Sequence, residues 1–402
     1  MAAASASGAF AGDAPVLDAA SSGTLNIRGT IGAEARTFTM RPSYPTQDRA
    51  IVQGSVTAAA DISWTSAGKS VVIDVSPFLR LDDTDPKRSH GDLREAAVNF
   101  YGRNVDLRLG VSKVYWGVTE SRKLVDIVNQ TDLVEDPEGD EKLGQPMVML
   151  RGRYDDIEAT VLVLPVFRPR TFPGQNGRLR PALPVDTGLA EYESSSRARR
   201  MDAAARLKIR VDDFDLGLSY FNGTSREPRL EISGTSLIPV YDVIDQVGLD
   251  IQATLDATLL KLEAITRDGH QGVGARRFSA VVAGVEHTFS QVFATSWDVG
   301  LVVEFDWDDR PPSAPPTIYD KDIFIGTRFA FNDANDSSGL LGALVDVERG
   351  SVYATLEGST RIAEAWRFEI DGALVLNVGD LDAVLRQVRD DSFVTVRLLH
   401  FL

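Results

Sequence analysis

The chain has no cysteine in 402 residues, which excludes disulfides, thiolate metal sites and a cysteine nucleophile. Histidine is scarce as well: His90, His270, His287 and His400 are the four present. No apolar run approaches the ~18 residues of a membrane helix, so a helical membrane protein is excluded, whereas a β-barrel, whose strands are only alternately apolar, is not. Positive charge is in deficit, with 42 Lys+Arg against 58 Asp+Glu and a net charge of −16. A nucleic-acid partner would need a basic face, so none is expected. Apolar residues still make up 43% of the chain, too many for a disordered one.

What the sequence has in abundance is alternation. In "TSWDVGLVVEFDWDD", Trp297, Val299, Leu301, Val303, Phe305 and Trp307 are large and apolar, while Asp298, Gly300, Glu304 and Asp306 lie between them. A period of two is a strand with one greasy and one polar face. The same pattern recurs in "SVVIDVSPFLRLD", "NVDLRLGVS", "RMDAAARLKIRVDD", "FDLGLSYF" and the stretch from Trp366 to Leu374. It fails in two places: residues 155–167 are apolar on both faces, and 90–102 have no clear phase.

Reading strands at 24–39, 50–64, 69–82, 91–102, 104–115, 145–154, 157–167, 199–211, 214–222, 246–255, 258–267, 276–289, 296–307, 321–332, 339–347, 351–361, 365–376 and 391–402 gives roughly 18, within a range of 16–18. The link after each even-numbered strand is short, and that after an odd-numbered one is often long (40–49, 83–90, 116–144, 168–198, 223–245, 308–320 and 377–390). Short turns on one rim and long loops on the other mark a transmembrane antiparallel up-and-down β-barrel of the outer-membrane type. The length agrees. Residues 297–307, tilted near 40–45°, would rise about 26 Å, matching an apolar band of ~25 Å with Trp297 and Trp307 at its edges. Trp366 is expected at an interface too. A two-layer sandwich also alternates, but its strands usually run about 5–6 residues and its loops have no reason to sort by rim.

The two ends bear on export. "MAAASASGAFAGDAP" has the small residues and the Ala9-Phe10-Ala11 triplet that precede a signal-peptidase cut, without a basic n-region. Residues 1–23 are therefore read as a signal-peptide remnant or flexible leader, and 24–402 as the barrel. At the other end, "DDSFVTVRLLHFL" places Val394, Val396, Leu398, His400 and Leu402 on one face, with Thr395 and Arg397 on the other. This resembles the C-terminal strand signal of Gram-negative outer-membrane barrels, with Leu402 in the place of the usual terminal aromatic. The resemblance implies recognition of this strand by the barrel-assembly machinery.

A second resemblance is local. "KVYWGVTESRKLVDIVNQTDLVEDPEGDEKLGQPM" is similar to a segment of porin-like bacterial outer-membrane proteins, mostly uncharacterised: Trp-Gly, then Asp-x-x-Asn-x-x-Asp-Leu, then a strand after Gly-Gln-Pro. Here these are Trp116, Gly117, Asp126, Asn129, Asp132, Leu133, Gly144, Gln145 and Pro146. Alginate-export barrels share the general layout. The resemblance implies an outer-membrane barrel with a passive transport role and names no solute.

Barrels of 16 to 18 strands leave an aqueous channel unless loops fold in. The acidic link 116–144, with Glu120, Asp126 and Asp132, is the candidate to narrow it, pinned by Val118, Leu124, Val125, Ile127, Val128 and Leu133. Arg80, Arg108, Arg151, Arg153, Arg206, Lys208 and Arg210 fall on inward faces of the first half, and Arg168, Arg170, Arg178 and Arg180 in the 168–198 loop. Inward acids gather in the second half at Asp298, Glu304, Asp306, Glu357, Glu369 and Asp371. An Arg-rich wall facing an acidic loop would set up a transverse field that filters ions; the alternative is that these charges pair with their neighbours and stiffen the wall.

Catalytic and metal chemistry find little support. His90 stands beside Asp83, Asp85 and Ser89, but "TDPKRSHGD" reads as an ordinary polar hairpin. "DPEGDE" and "NDANDSSG" do not match EF-hand spacing. The expectation is a channel for passive diffusion of small hydrophilic solutes, with no enzyme activity, cofactor or metal, in contact with outer-membrane lipid and with a homo-oligomer left open. A loop-plugged barrel serving adhesion or assembly is the alternative, and an outer-membrane enzyme a more distant one.

Overall fold

The computed structural model describes residues 17–19 and 23–402. The leader expected at 1–23 otherwise lies outside the described residues; within it, residues 17–19 pair antiparallel with 23–25. Beyond it the chain forms a closed antiparallel barrel of 18 strands: β1 (Gly23–Phe38), β2 (Val52–Thr65), β3 (Val71–Asp82), β4 (His90–Tyr101), β5 (Val105–Ser112), β6 (Gln145–Tyr154), β7 (Ile157–Leu164), β8 (Asp202–Val211), β9 (Phe214–Thr224), β10 (Val243–Leu255), β11 (Thr258–Asp268), β12 (Phe278–Phe289), β13 (Asp298–Asp308), β14 (Lys321–Ala330), β15 (Ser338–Asp346), β16 (Val352–Ala363), β17 (Trp366–Asn377) and β18 (Phe393–Phe401). Each strand pairs with the next, and β18 closes on β1 from Thr30↔Phe401 to Phe38↔Phe393. Each of the 18 strands expected from alternation is present, shifted by a few residues at its ends.

Alternation fixes the two faces. On β13, Leu301, Val303 and Phe305 point outward and are nearly half exposed, whereas Val302, Glu304 and Asp306 point inward and are fully buried. Three tight turns on the short rim are built without glycine: Asp155, Asp212 and Asp256 open the β6–β7, β8–β9 and β10–β11 turns in the left-handed region, with φ of 47°, 49° and 50°. Aspartate tolerates this conformation because its side chain can hydrogen-bond to nearby backbone.

The two irregular stretches now have causes. Along β4, Ser76 faces Glu95 but Pro77 faces Leu93, leaving Arg94 as an extra residue. This bulge flips the phase, so Phe100 and Leu93 both face outward although they differ in parity. On β7, Leu162 and Leu164 are wholly buried inside the barrel while Val161 faces outward. That strand is apolar on both faces because its inner face is covered by protein.

On the long-loop rim a small separate sheet forms from Arg229–Ser233, Ser236–Tyr241 and, in parallel, Glu191–Tyr192. Its aromatic heart is Tyr241, stacked on Tyr192 and edge-on to Phe167. Alternation predicts only loops here. The strands are five, six and two residues long, too short for the alternation to register.

Candidate functional site: a loop inside the barrel

The link between β5 and β6 turns into the lumen and reaches its far wall. Trp116, Leu124, Val125, Ile127 and Val128 form one buried cluster with Met147, Met149, Leu162, Leu164, Ala204, Phe221, Ile244, Ile265, Ala280 and Val282 of the inner wall. Hydrophobic burial therefore docks the first half of the loop onto the sector from β6 to β12.

Direction comes from carboxylates that accept the loop's backbone N–H groups. Glu263 on β11, fully buried, accepts from Val118 N (2.6 Å), Thr119 N (2.9 Å) and Val125 N (3.0 Å), and from Thr119 Oγ1 (2.7 Å). Glu304 on β13 accepts from Glu120 N (2.8 Å), Ser121 N (2.7 Å) and Ser121 Oγ (2.6 Å). Within the loop, Asp126 takes the N–H groups of Trp116 (2.6 Å) and Gly117 (2.9 Å). Asn129 accepts from Val114 N and donates to the Ser112 and Leu143 carbonyls. The glycine at 117 is required by close approach, since a Cβ there would sit 2.7 Å from Lys123 Cβ.

The second half is held by ion pairs. Arg80 is bidentate to Glu135 (2.7 and 2.9 Å) and reaches Glu34 (3.1 Å), which also receives Arg88 (2.5 Å) and Arg397 (2.8 Å). Asp132 accepts from Thr171 (2.7 Å) of the neighbouring loop and Asp140 pairs with Lys123 (2.6 Å), while in the first half Glu120 pairs with Arg328 (2.6 Å) on β14. Beside the loop remains a cavity of about 380 Å³. Its lining includes Arg170, Arg226 and Arg267 as well as Glu138, Asp140 and Glu357. Arg226 is held by Asp202 (2.9 Å) and Arg267 by Glu227 (2.7 Å), but among the described residues Arg170 has no carboxylate within ion-pair distance. Among the described residues, the Glu138 carboxylate accepts from Tyr353 (3.2 Å) alone. Enclosure in the barrel, with Asp136 and Glu357 close by, pushes the Glu138 carboxyl above the ordinary glutamate range; its contact with luminal water moderates the effect.

The other residues singled out from sequence are dispersed. Arg206 pairs with Asp250 (2.6 Å) and lies over the Trp116 ring (5.4 Å). Arg108 binds Asn99 and Ser112 under the loop. Arg151, Arg153, Lys208 and Arg210 lie near the short rim, paired with Glu158, Asp106 and, for the last two, Asp215. Of the acids, Glu304 and Asp306 are withdrawn from water by the loop, where alternation alone expects them to face it. Asp298 caps the β12–β13 turn through Gln291 N (2.9 Å), and Glu369 lies near Arg367 and Arg397. Arg168 pairs with Asp92 and Arg178 with Asp391, while Arg180, 1% exposed, ties down backbone carbonyls of its own loop. Asp371 pairs with Arg397. Trp297 and Trp366 face outward at the short rim, the latter against His400, and Trp307 lies toward the long rim. The Ser89 hydroxyl is engaged with the Asp82 backbone and the His90 ring with the Arg88 carbonyl, so the two are not joined. Arg122, Arg226, Glu227, Arg267 and Arg310 were not singled out by the sequence; they come together only through folding of four separate segments.

No family model and no curated protein matches the sequence. Solved structures do match the fold. Similar barrels include OpdO of Pseudomonas aeruginosa (TM-score 0.55, 11% identity, covering 94% of this chain and 95% of that one) and OpdQ of the same organism (0.52, 10%, 94% and 96%). Wzi of Escherichia coli, described as a carbohydrate-binding barrel involved in capsule assembly, also matches (0.52, 8%, 92% and 83%). With closure, loop sorting and these likenesses together, the chain has the fold of a porin-like β-barrel of the bacterial outer membrane.

Proposed function

We propose that the chain is a passive channel for small hydrophilic solutes, with residues 116–144 as its constriction. One observation carries the reading: the loop leaves a cavity of about 380 Å³ lined both by Arg170, which among the described residues has no carboxylate within ion-pair distance, and by Glu138 and Glu357. Opposed charges across a confined lumen create a transverse field that orients dipolar solutes and biases ion flow. In planar bilayers the purified barrel should give stable conductance steps. Arg170→Ala should raise cation preference, and Glu138→Gln combined with Glu357→Gln should lower it. Selectivity unchanged in both would overturn the constriction.

The tight packing of residues 116–128 favours a second reading, a loop-plugged barrel acting in adhesion or assembly. A folded barrel that never conducts would support it. In either case we place Trp297, Trp307 and Trp366 at the membrane interfaces, assign no enzymatic step, and assign β18 to recognition by the barrel-assembly machinery.

A further inference from the structure

Among the described residues, a row of four acids near the long rim shares a single ion-pairing arginine, Arg349. Asp322 on β14 lies directly opposite Asp306 on β13 and Asp346 on β15, and Asp320 immediately precedes β14. Like charges at directly opposed positions on neighbouring strands destabilise a sheet. Here they are also withdrawn from water, Asp306 at 0%, Asp322 at 1% and Asp346 at 3% exposure. An arrangement this unfavourable needs a compensating charge.

The protein supplies little of it. Asp322 accepts the Asp320 N–H (2.8 Å) and, among the described residues, has no lysine or arginine within ion-pair distance. Asp346 Oδ1 accepts from Glu348 N (2.9 Å) and Arg349 N (2.6 Å), but its Oδ2 has no hydrogen-bond partner. Arg349 is turned to Asp320 (2.5 Å) and stands 3.8 Å from Asp346, too far to donate. Asp306 Oδ1 is likewise buried without a partner. A buried, unpaired carboxylate oxygen is costly, so such atoms mark places where a ligand belongs.

We propose that Asp320, Asp322 and Asp346 hold a divalent cation of the calcium class. One carboxylate oxygen from each lies within 4.8 Å of the others. Two oxygens bound to one calcium at about 2.4 Å can be separated by no more than about that distance. The donors are hard oxygens, with no cysteine in the chain to favour a softer metal. Calcium's tolerance of irregular coordination suits a set fixed by strand register better than magnesium's near-ideal octahedron. Asp320 is partly exposed and gives an entry path from the long rim. The next residue back, Tyr319, lines the luminal cavity and donates to the Ser121 carbonyl (2.8 Å), so occupancy would stiffen one wall of the passage.

The test is calorimetric titration of the detergent-solubilised, chelator-stripped barrel with calcium chloride. One saturable site is expected, with magnesium weaker, and with affinity in the range of roughly 0.1–1 mM typical of extracellular modules. Asp322→Asn should weaken binding by about tenfold or more, as loss of a direct ligand does. Asp333→Asn, which alters the acidic β14–β15 turn on the opposite rim, should leave it unchanged. If Asp322→Asn fails to show the heat-modifiable mobility of a folded barrel, Asp320→Asn, at a partly exposed position, decides the matter by the same loss. Absence of saturable binding in the unmodified protein, or equal weakening by the Asp333 variant, would overturn the site.

Discussion

The two halves of the luminal loop are neighbours in sequence but are held by different physics. Residues 116–128 are buried in an apolar cluster and have their N–H groups satisfied by Glu263, Glu304 and Asp126. Residues 135–142 are tied by Glu135 to Arg80, Asp140 to Lys123 and Glu141 to Lys113, with Asp136 accepting the loop's own N–H groups, and they present Glu138 to the lumen. Carboxylates serve in both, with opposite effect. In the first half, wall carboxylates are enclosed and taken up as acceptors for backbone N–H groups. In the second, Glu138, which among the described residues has no basic partner, faces the cavity. Within the barrel, hydrogen-bond saturation separates an anchoring acid from a functional one.

Removing the anchor should have the largest effect. Glu263→Ala leaves the N–H groups of Val118, Thr119 and Val125 without their acceptor. At about 1–3 kcal/mol for each unsatisfied buried group, docking of the loop loses several kcal/mol. The strand ladder is untouched, so the barrel should keep its heat-modifiable mobility, while limited proteolysis cuts within 116–129 and conductance rises and becomes noisy. A smaller loss of the same kind is expected for Ile127→Ala. Removing that buried side chain should cost about 2–5 kcal/mol, read as earlier loop cleavage at elevated temperature. If both variants leave cleavage and conductance unchanged, the first half of the loop is not the anchor.

The fold was legible because barrel strands carry a period of two in their own residues: Leu301, Val303 and Phe305 announce the lipid face with no reference to any other strand. The inward placement of 116–144 was legible in part, since Val125, Ile127 and Val128 are too apolar for a solvated loop. Of the basic side only Arg170 was, through the arginines of the 168–198 loop. Arg122, Arg170, Arg226 and Arg267 come from three loops and the end of β11, and local pattern says nothing of which loops meet. Counting inward basic residues by parity instead gathers Arg151, Arg153, Lys208 and Arg210, which register places near the short rim beside their own acidic neighbours. Parity reports the face of the wall; depth and partner come only from register and tertiary contact.

The finest test of the contrast is one charge in the second half. Glu138 has its carboxyl raised above the ordinary glutamate range by enclosure and by Asp136 and Glu357. A carboxyl whose folded-state pKa is raised binds its proton more tightly in the folded loop than in an undocked one. Protonation at low pH therefore favours docking, and that contribution is lost as pH rises through the folded-state value. The luminal charge follows the same titration in the opposite sense for ions: cation preference should fall as pH drops through the range above the normal glutamate value. Glu138→Gln should flatten this dependence of the reversal potential, leaving thermal unfolding within about 0.5 kcal/mol of the parent, as for a substitution at a water-exposed site. A pH profile that keeps its shape in the variant would show that Glu138, like the acids of the first half, is spent on structure.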